Sequence, residues 1–130
     1  LIGANLSVSI LIGGNLSGAD LSAADLTYAN LKGANLTKAN LSGANLTGAA
    51  LGGTDLTGAD LLGANLSGAY LSEAILSGAI LTTAILSGAN LSGADLTGAY
   101  LSEAKLSNAR IKDAKFCNTK TPWGIDNSGC

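Results

Sequence analysis

The sequence predicts an all-β solenoid, and three observations lead to this fold class. Leucine or a conservative substitute occupies every fifth position from Leu1 to Phe116, without a change of phase. Alanine precedes most of these leucines by two residues, and glycine follows most of them by two. Strict internal repetition of this kind is typical of a chain that stacks one short structural unit on the next.

The spacing of five residues fits neither a helix nor a flat strand. A step of five turns an α-helix by about 140°, so the leucines would form no continuous stripe. In a flat strand an odd step would turn every second leucine toward solvent. Alanine and leucine two residues apart can both point inward on a short extended segment, provided that the chain bends before the next pair. Each quintet is therefore predicted to be one short side followed by one corner.

The remaining positions of the quintet agree with this prediction. If i is the leucine, position i+2 is often glycine, which tolerates the backbone conformations of tight corners. Position i+1 is mostly serine or threonine, whose hydroxyl groups are expected to bond nearby turn backbone. Position i−1 is often asparagine or aspartate and is expected to face outward.

The consensus of the quintet resembles the pentapeptide-repeat family. Residues 44–48 read Ala-Asn-Leu-Thr-Gly and residues 94–98 read Ala-Asp-Leu-Thr-Gly. The resemblance covers residues 1–120 and implies a right-handed quadrilateral parallel β-helix with four quintets per coil, hence about six coils. The residue pattern alone leaves the number of sides open. We expect the β-helix over residues 1–116 and a short C-terminal cap or tail over residues 117–130.

The tail carries the only two cysteines, Cys117 and Cys130. It resembles the endings of cyanobacterial members of the family, and this resemblance favours a disulfide between them. Two free thiols or a redox-active pair are the alternatives. A disulfide would indicate an oxidising compartment such as the periplasm or the thylakoid lumen, whereas free thiols would indicate the cytoplasm.

Both ends of the predicted rod would expose strand edges, which invite further pairing. At the C-terminal end Pro122, Trp123 and Ile125 are expected to fold over the last coil, with an aromatic binding contact at Trp123 as the alternative. At the N-terminal end apolar residues replace the usual polar ones. We therefore expect a monomer or weak end-to-end association through the N-terminal coil. The apolar replacements there are Ile2, Val8, Ile10 and Ile12.

Position i−1 changes character twice along the chain. An apolar collar occupies four successive quintets and consists of Tyr70, Ile75, Ile80 and Ile85. In a four-sided coil Tyr100 would extend it on the side of Ile80. The collar is either a protein contact or simply a set of good β-forming residues at solvated positions.

A basic ring follows, and it either deters stacking at the terminal coil or docks an acidic partner. The basic ring consists of Lys105, Arg110, Lys115 and Lys120.

The composition offers no catalytic chemistry. The chain has no histidine, the commonest general base and metal ligand, and no dense carboxylate loop. We therefore expect no enzyme activity, cofactor or metal site. The net charge of −2 and the few basic residues argue against nucleic-acid binding. No apolar run reaches the roughly 20 residues of a membrane span.

Two functional hypotheses remain. The first is a non-enzymatic structural or protein-interaction rod with an unknown protein partner. The alternative is a DNA mimic that binds or protects a topoisomerase such as gyrase, as some members of the family do. That role demands a strongly acidic rod, whereas residues 101–130 carry five basic and three acidic residues.

Overall fold

A four-sided parallel β-helix is observed in the computed structural model, which describes residues 1–130. Isolated parallel bridges join each residue at position i−1 to its equivalent four quintets later, from the pair Asn5–Asp25 to the pair Tyr100–Lys120. Each coil is therefore four quintets long. This register decides the number of sides, which the residue pattern had left open.

Position i−1 forms the bridges, and its residues stack into four columns, one on each side of the rod. The first column contains Asn5, Asp25, Asn45, Asn65, Ile85 and Lys105. The second contains Ile10, Asn30, Ala50, Tyr70, Asn90 and Arg110. The third contains Asn15, Asn35, Asp55, Ile75, Asp95 and Lys115. The fourth contains Asp20, Asn40, Asp60, Ile80, Tyr100 and Lys120.

Main-chain hydrogen bonds connect each coil to the next. The N–H of Leu46 donates to the carbonyl of Asn65 at 2.7 Å, and the N–H of Asn65 donates to the carbonyl of Ala44 at 2.9 Å. The N–H of Gly48 donates to the carbonyl of Ser67 at 3.0 Å. Within the quintet the N–H of Ala49 closes the corner on the carbonyl of Leu46 at 3.0 Å. The rod is therefore held by a regular backbone ladder along every side.

The interior consists almost entirely of the leucine and alanine positions. A single core of 34 buried residues begins at Leu21 and ends at Phe116. This confirms that alanine and leucine both point inward. In the first coil Leu6, Leu11 and Leu16 are only partly buried, and they pack against this core.

The corner at position i+2 has a positive φ whether or not the residue is glycine. Gly48 has φ of 63° and Tyr28, one coil earlier on the same side, has φ of 55°. The ring of Tyr28 lies against Gly48, and a Cβ atom at Gly48 would collide with it. The conformation thus favours glycine at residue 48 without requiring it, and a side chain there would have to displace the Tyr28 ring.

The hydroxyl groups at position i+1 bond a different partner from the one predicted. In a typical quintet the Oδ1 atom of Asn45 accepts from the N–H of Thr47 at 3.1 Å and from its hydroxyl at 2.6 Å. The prediction that the hydroxyl bonds turn backbone was therefore wrong. The Asn or Asp side chain lies closer, and it accepts both donors of the i+1 residue in one turn.

The tail continues the inward register beyond residue 116. Thr119 and Thr121 occupy an alanine and a leucine position, and both are buried. Strand β1, Thr119–Thr121, pairs antiparallel with strand β2, Gly124–Asp126. A disulfide joins Cys117 to Cys130.

The hairpin covers less of the last coil than expected. Trp123 contacts Phe116 with ring centroids 6.4 Å apart, yet Trp123 remains 58% exposed. Pro122 and Ile125 are exposed as well, because β2 pairs with β1 on one side of the rod. The tail closes the core around Phe116 and leaves Ile111 uncovered. The chain contains no helix that is long and apolar enough to cross a bilayer.

Candidate interaction surface

The collar encircles the rod within a single coil. Its four residues belong to the four different columns and follow one another along the chain. Tyr70, Ile75 and Ile80 are exposed, and Ile85 is half-buried. At the same position other coils mostly carry Asn or Asp, so the collar is the place where the outward face turns apolar.

The collar extends toward the C-terminal end on the fourth side. Ile80 bridges directly to Tyr100, and Tyr100 bridges to Lys120. The Nζ atom of Lys120 lies 4.6 Å from the centroid of the Tyr100 ring, which is within cation–π range. The fourth side therefore presents an apolar strip that ends in a positive charge.

The basic ring occupies all four columns of the last coil, as the four-sided fold requires. All four of its side chains are exposed. The Nζ atom of Lys115 lies 3.9 Å from Oδ2 of Asp95, the one salt bridge in the chain. A single exposed pair of this kind contributes little stability. The charge of the ring is thus largely available to solvent or to a partner.

Several aspartates are engaged in the turns themselves. Hydrogen bonds from the hydroxyl and N–H of Ser22 lower the pKa of Asp20, and those of Thr27 lower the pKa of Asp25. Hydrogen bonds from Ser128 likewise lower the pKa of Asp126. Partial burial opposes ionisation of Asp95, but bonds from Thr97 and the charge of Lys115 outweigh it and lower its pKa. These carboxylates favour the ionised form and accept hydrogen bonds within their own turns.

The acidic side chains are spread over the rod. The chain has no group of three or more His, Cys, Asp or Glu residues that could hold a metal ion. Glu73 and Glu103, the two recurring Ser-Glu-Ala glutamates, are separated by six quintets, which is one and a half coils, and hence lie on opposite sides.

A notch on the second side was not predicted from the sequence. It has a volume of about 430 Å³ and is lined by Lys32, Ala50, Gly52, Tyr70 and Ser72. Ala50 and Gly52 flank the same leucine and replace the polar residues that are usual at positions i−1 and i+1. This departure was the one sign of the notch in the sequence. The register of four quintets per coil is needed to see that Lys32 and Tyr70 lie on either side of these two residues.

Within residues 1–20 the main-chain groups at position i−1 are unpaired on all four sides. The N–H and carbonyl groups of Asn5, Ile10, Asn15 and Asp20 make no main-chain hydrogen bond. Apolar side chains around these groups are exposed, including Leu1, Ile2 and Ile10. Association through the N-terminal coil stays a prediction.

Comparison with known proteins agrees with the quadrilateral coil. The family model for pentapeptide repeats matches residues 1–37, 14–53, 44–88 and 84–120. The fold defines a right-handed quadrilateral β-helix repeat protein. The chain belongs to the pentapeptide-repeat family. No curated protein sequence matches it.

Solved structures of the same family are similar to the chain. Rfr23 from the cyanobacterium Cyanothece is 31% identical over 87% of this chain and 84% of its own, with a TM-score of 0.52. HetL from the cyanobacterium Nostoc, involved in heterocyst differentiation regulation, is 34% identical over 95% and 75%, with a TM-score of 0.43. A trypsin-treated form of QnrB1, a plasmid-mediated fluoroquinolone resistance protein, is 26% identical over 98% and 73%, with a TM-score of 0.46.

Proposed function

We propose that the chain is a non-enzymatic protein-interaction rod whose contact surface is the collar, extended by Tyr100 on the fourth side. The observation that carries this proposal is the exposure of Tyr70, Ile75 and Ile80 on consecutive sides of one coil. Exposed apolar clusters of this kind are typical of protein interfaces, where tyrosine is enriched.

The collar residues also lack the side-chain acceptor that Asn or Asp supplies to the turn in other coils. In the preceding coil the N–H of Thr57 donates to Oδ1 of Asp55 at 3.0 Å, whereas Ile75 offers no such acceptor to Ser77. The change from Asp to Ile therefore costs the turn a partner. High β-propensity of isoleucine is the competing explanation, and it predicts no loss of binding when the residue is replaced.

A partner can touch two adjacent sides of a rod at once. The third and fourth sides offer Ile75, Ile80 and Tyr100, with Lys115 and Lys120 beyond them. We expect the partner to be a protein that presents an apolar patch bordered by acidic residues. The disulfide supports an extracytoplasmic location for this encounter.

Replacing Ile75, Ile80 and Ile85 together by Asn tests the proposal. Each Asn restores the consensus of other coils, so the variant should fold with an unchanged or higher midpoint. Affinity capture from a lysate of the source organism, with the partner identified and its binding measured on purified protein, should show a loss of at least tenfold for a hot-spot surface. Ile10→Asn is the matched control outside the collar. A triple variant that binds the partner like the unmodified chain would leave β-propensity as the explanation.

The second hypothesis, a DNA-mimicking gyrase-binding protein, would require rows of acidic side chains. The columns contain no two aspartates on adjacent coils, and every column ends in a basic residue. A gyrase supercoiling assay with the purified protein is expected to show neither inhibition nor protection from fluoroquinolones. Either effect at micromolar protein would overturn the first proposal in favour of the second.

A further inference from the structure

The notch contains two main-chain donors without an acceptor in the protein. In most quintets the N–H at position i+1 donates to the Asn or Asp side chain at i−1, as Ser67 does to Oδ1 of Asn65 at 3.1 Å. Ala50 and Tyr70 replace that side chain in two successive coils of the second side. The N–H groups of Gly52 and Ser72 therefore make no hydrogen bond within the chain.

These two donors lie side by side. Adjacent coils are separated by roughly 4.8 Å, the spacing of paired strands. Because the ordinary acceptor is an outward side chain, both N–H groups are directed to where its oxygen would be, at the surface of the rod. One carboxylate group, with its two oxygens side by side, can accept from both.

Only at the notch do unpaired main-chain N–H groups have both an open cavity and a positively charged side chain beside them. Ala50 and Gly52 leave room, and a Cβ atom built on Gly52 would meet only the carbonyl oxygen of Ser72, at 3.7 Å. Other stacked donors lack acceptors too, such as those of Thr82 and Ser102, but large outward side chains lie beside them and no cavity is found there.

The two long side chains of the notch complement an anion attached to an apolar group. Lys32 borders the notch with a positive charge, and Tyr70 borders it with an aromatic ring. A volume of about 430 Å³ accommodates a small carboxylic acid or one acidic side chain. Main-chain donors and a lysine are a common arrangement for holding a carboxylate.

We propose that the notch formed by Lys32, Ala50, Gly52, Tyr70 and Ser72 is a binding site for a carboxylate. Gly52 and Ser72 donate their N–H groups to its two oxygens, Lys32 supplies the countercharge and Tyr70 packs against the attached carbon group. The carboxylate belongs either to a small organic acid or to an aspartate or glutamate of a bound protein. The site stands independently of the collar, although Tyr70 belongs to both.

Titration of ¹⁵N-labelled protein at neutral pH tests this site with two probes. The first probe is sodium benzoate and the second is a short capped peptide with a single glutamate. Saturable shifts of the Gly52 and Ser72 amide signals are expected, while benzamide at equal ionic strength leaves them unchanged. Stronger binding of benzoate assigns the site to a small acid, and stronger binding of the peptide assigns it to an acidic partner. If neither probe shifts these two amides, the proposal is wrong.

Ala50→Asn is the decisive variant. Asn occupies other positions of the same column at Asn30 and Asn90, so the fold should accept it. Its side chain would satisfy the N–H of Gly52 and fill the notch, and about a tenfold loss of affinity for the probe is expected. Lys32→Gln should weaken binding and reduce its dependence on salt. Unchanged affinity of Ala50→Asn would overturn the proposal. Ala50 lies outside the collar, so capture of the partner proposed above can persist when carboxylate binding is lost.

Discussion

The hydroxyl group of Thr54 donates a hydrogen bond of 2.8 Å to the main-chain carbonyl of Leu31 in the interior of the β-helix. Thr54 occupies an alanine position and is fully buried. The carbonyl of Leu31 also accepts the N–H of Ala34 at 3.0 Å. Thr119 repeats the arrangement near the C-terminus, where its hydroxyl donates to the carbonyl of Leu96 at 2.7 Å. Both buried hydroxyl groups are thus satisfied by main-chain carbonyls that are already part of a corner.

Thr54→Val should lower the free energy of unfolding by about 1 kcal/mol, the usual net value of one buried hydrogen bond. Valine preserves the volume, and the carbonyl of Leu31 keeps its bond from Ala34, so no buried acceptor is left unpaired. Urea denaturation of Thr54→Val beside Thr119→Val measures the effect at two equivalent sites. A valine variant at least as stable as the unmodified chain would show that the hydroxyl makes no net contribution to stability.

Leu46→Asp should unfold the coil around it. Leu46 is fully buried, and an unpaired carboxylate in this apolar interior costs several kcal/mol. Thermal unfolding followed by circular dichroism should show a large loss of the midpoint, as it should for Leu56→Asp. Asn65→Asp, outward on the same side and without an acidic neighbour in its column, is the matched control and should keep its midpoint. An unchanged midpoint for Leu46→Asp would contradict the inward assignment.

Stability should fall in acid through the turn aspartates. The pKa values of Asp20, Asp25 and Asp126 are lowered in the folded state by hydrogen bonds, so the unfolded chain takes up protons at higher pH. Their contribution is complete above the ordinary carboxyl pKa and is lost as pH falls through the lower folded values. Urea midpoints measured from about pH 6 down to pH 2 should record this loss.

The control for acid sensitivity is the triple variant Asp20→Asn, Asp25→Asn and Asp126→Asn. Asparagine preserves the Oδ1 acceptor of each turn, as Asn45 does, but does not titrate in this range. Its acid loss of stability should therefore be smaller, with Asp95 responsible for part of what remains. Equal acid sensitivity in the two proteins would mean that these turns are not the cause.

The disulfide should stabilise the tail against opening. Replacing both Cys117 and Cys130 by Ser removes the closure of a segment with a sequence separation of 13. The loop-entropy account gives a loss of about 3 kcal/mol for a loop of this length. Thiol titration of the purified protein in denaturant without reductant should find no free thiol. Two free thiols would contradict the bridge and remove the argument for an oxidising compartment.

The interior was predictable from sequence because its chemistry is repeated in every quintet. Leu46 and Ala49 follow from period and residue type alone, and both are fully buried. The number of sides was not predictable from the residues. Every quintet encodes the same corner, and nothing in one quintet specifies which later quintet it will pair with. That information came from the family resemblance and is confirmed by the bridge register.

The outward surface was predictable only in part. The collar residues were recognised because they depart from Asn and Asp at position i−1. The notch was missed because Lys32, Gly52 and Ser72 are separated by whole coils and become neighbours only when four quintets make one coil. The partner of the i+1 hydroxyl was missed because turn backbone and the Asn or Asp side chain were both within reach, and only geometry distinguishes them.

Pairing across four quintets means that insertions and deletions affect the interior and the surface differently. Loss of one quintet would preserve the leucine phase, yet it would move every later outward residue to the neighbouring side. The similar segments 68–74 and 98–104 illustrate this, because they are offset by one and a half coils and place Tyr70 and Tyr100 on opposite sides. Duplication of quintets can therefore change which side chains face a partner while the packing of the interior is unchanged. Related proteins that differ by a few quintets would share the same core and differ in their surface contacts.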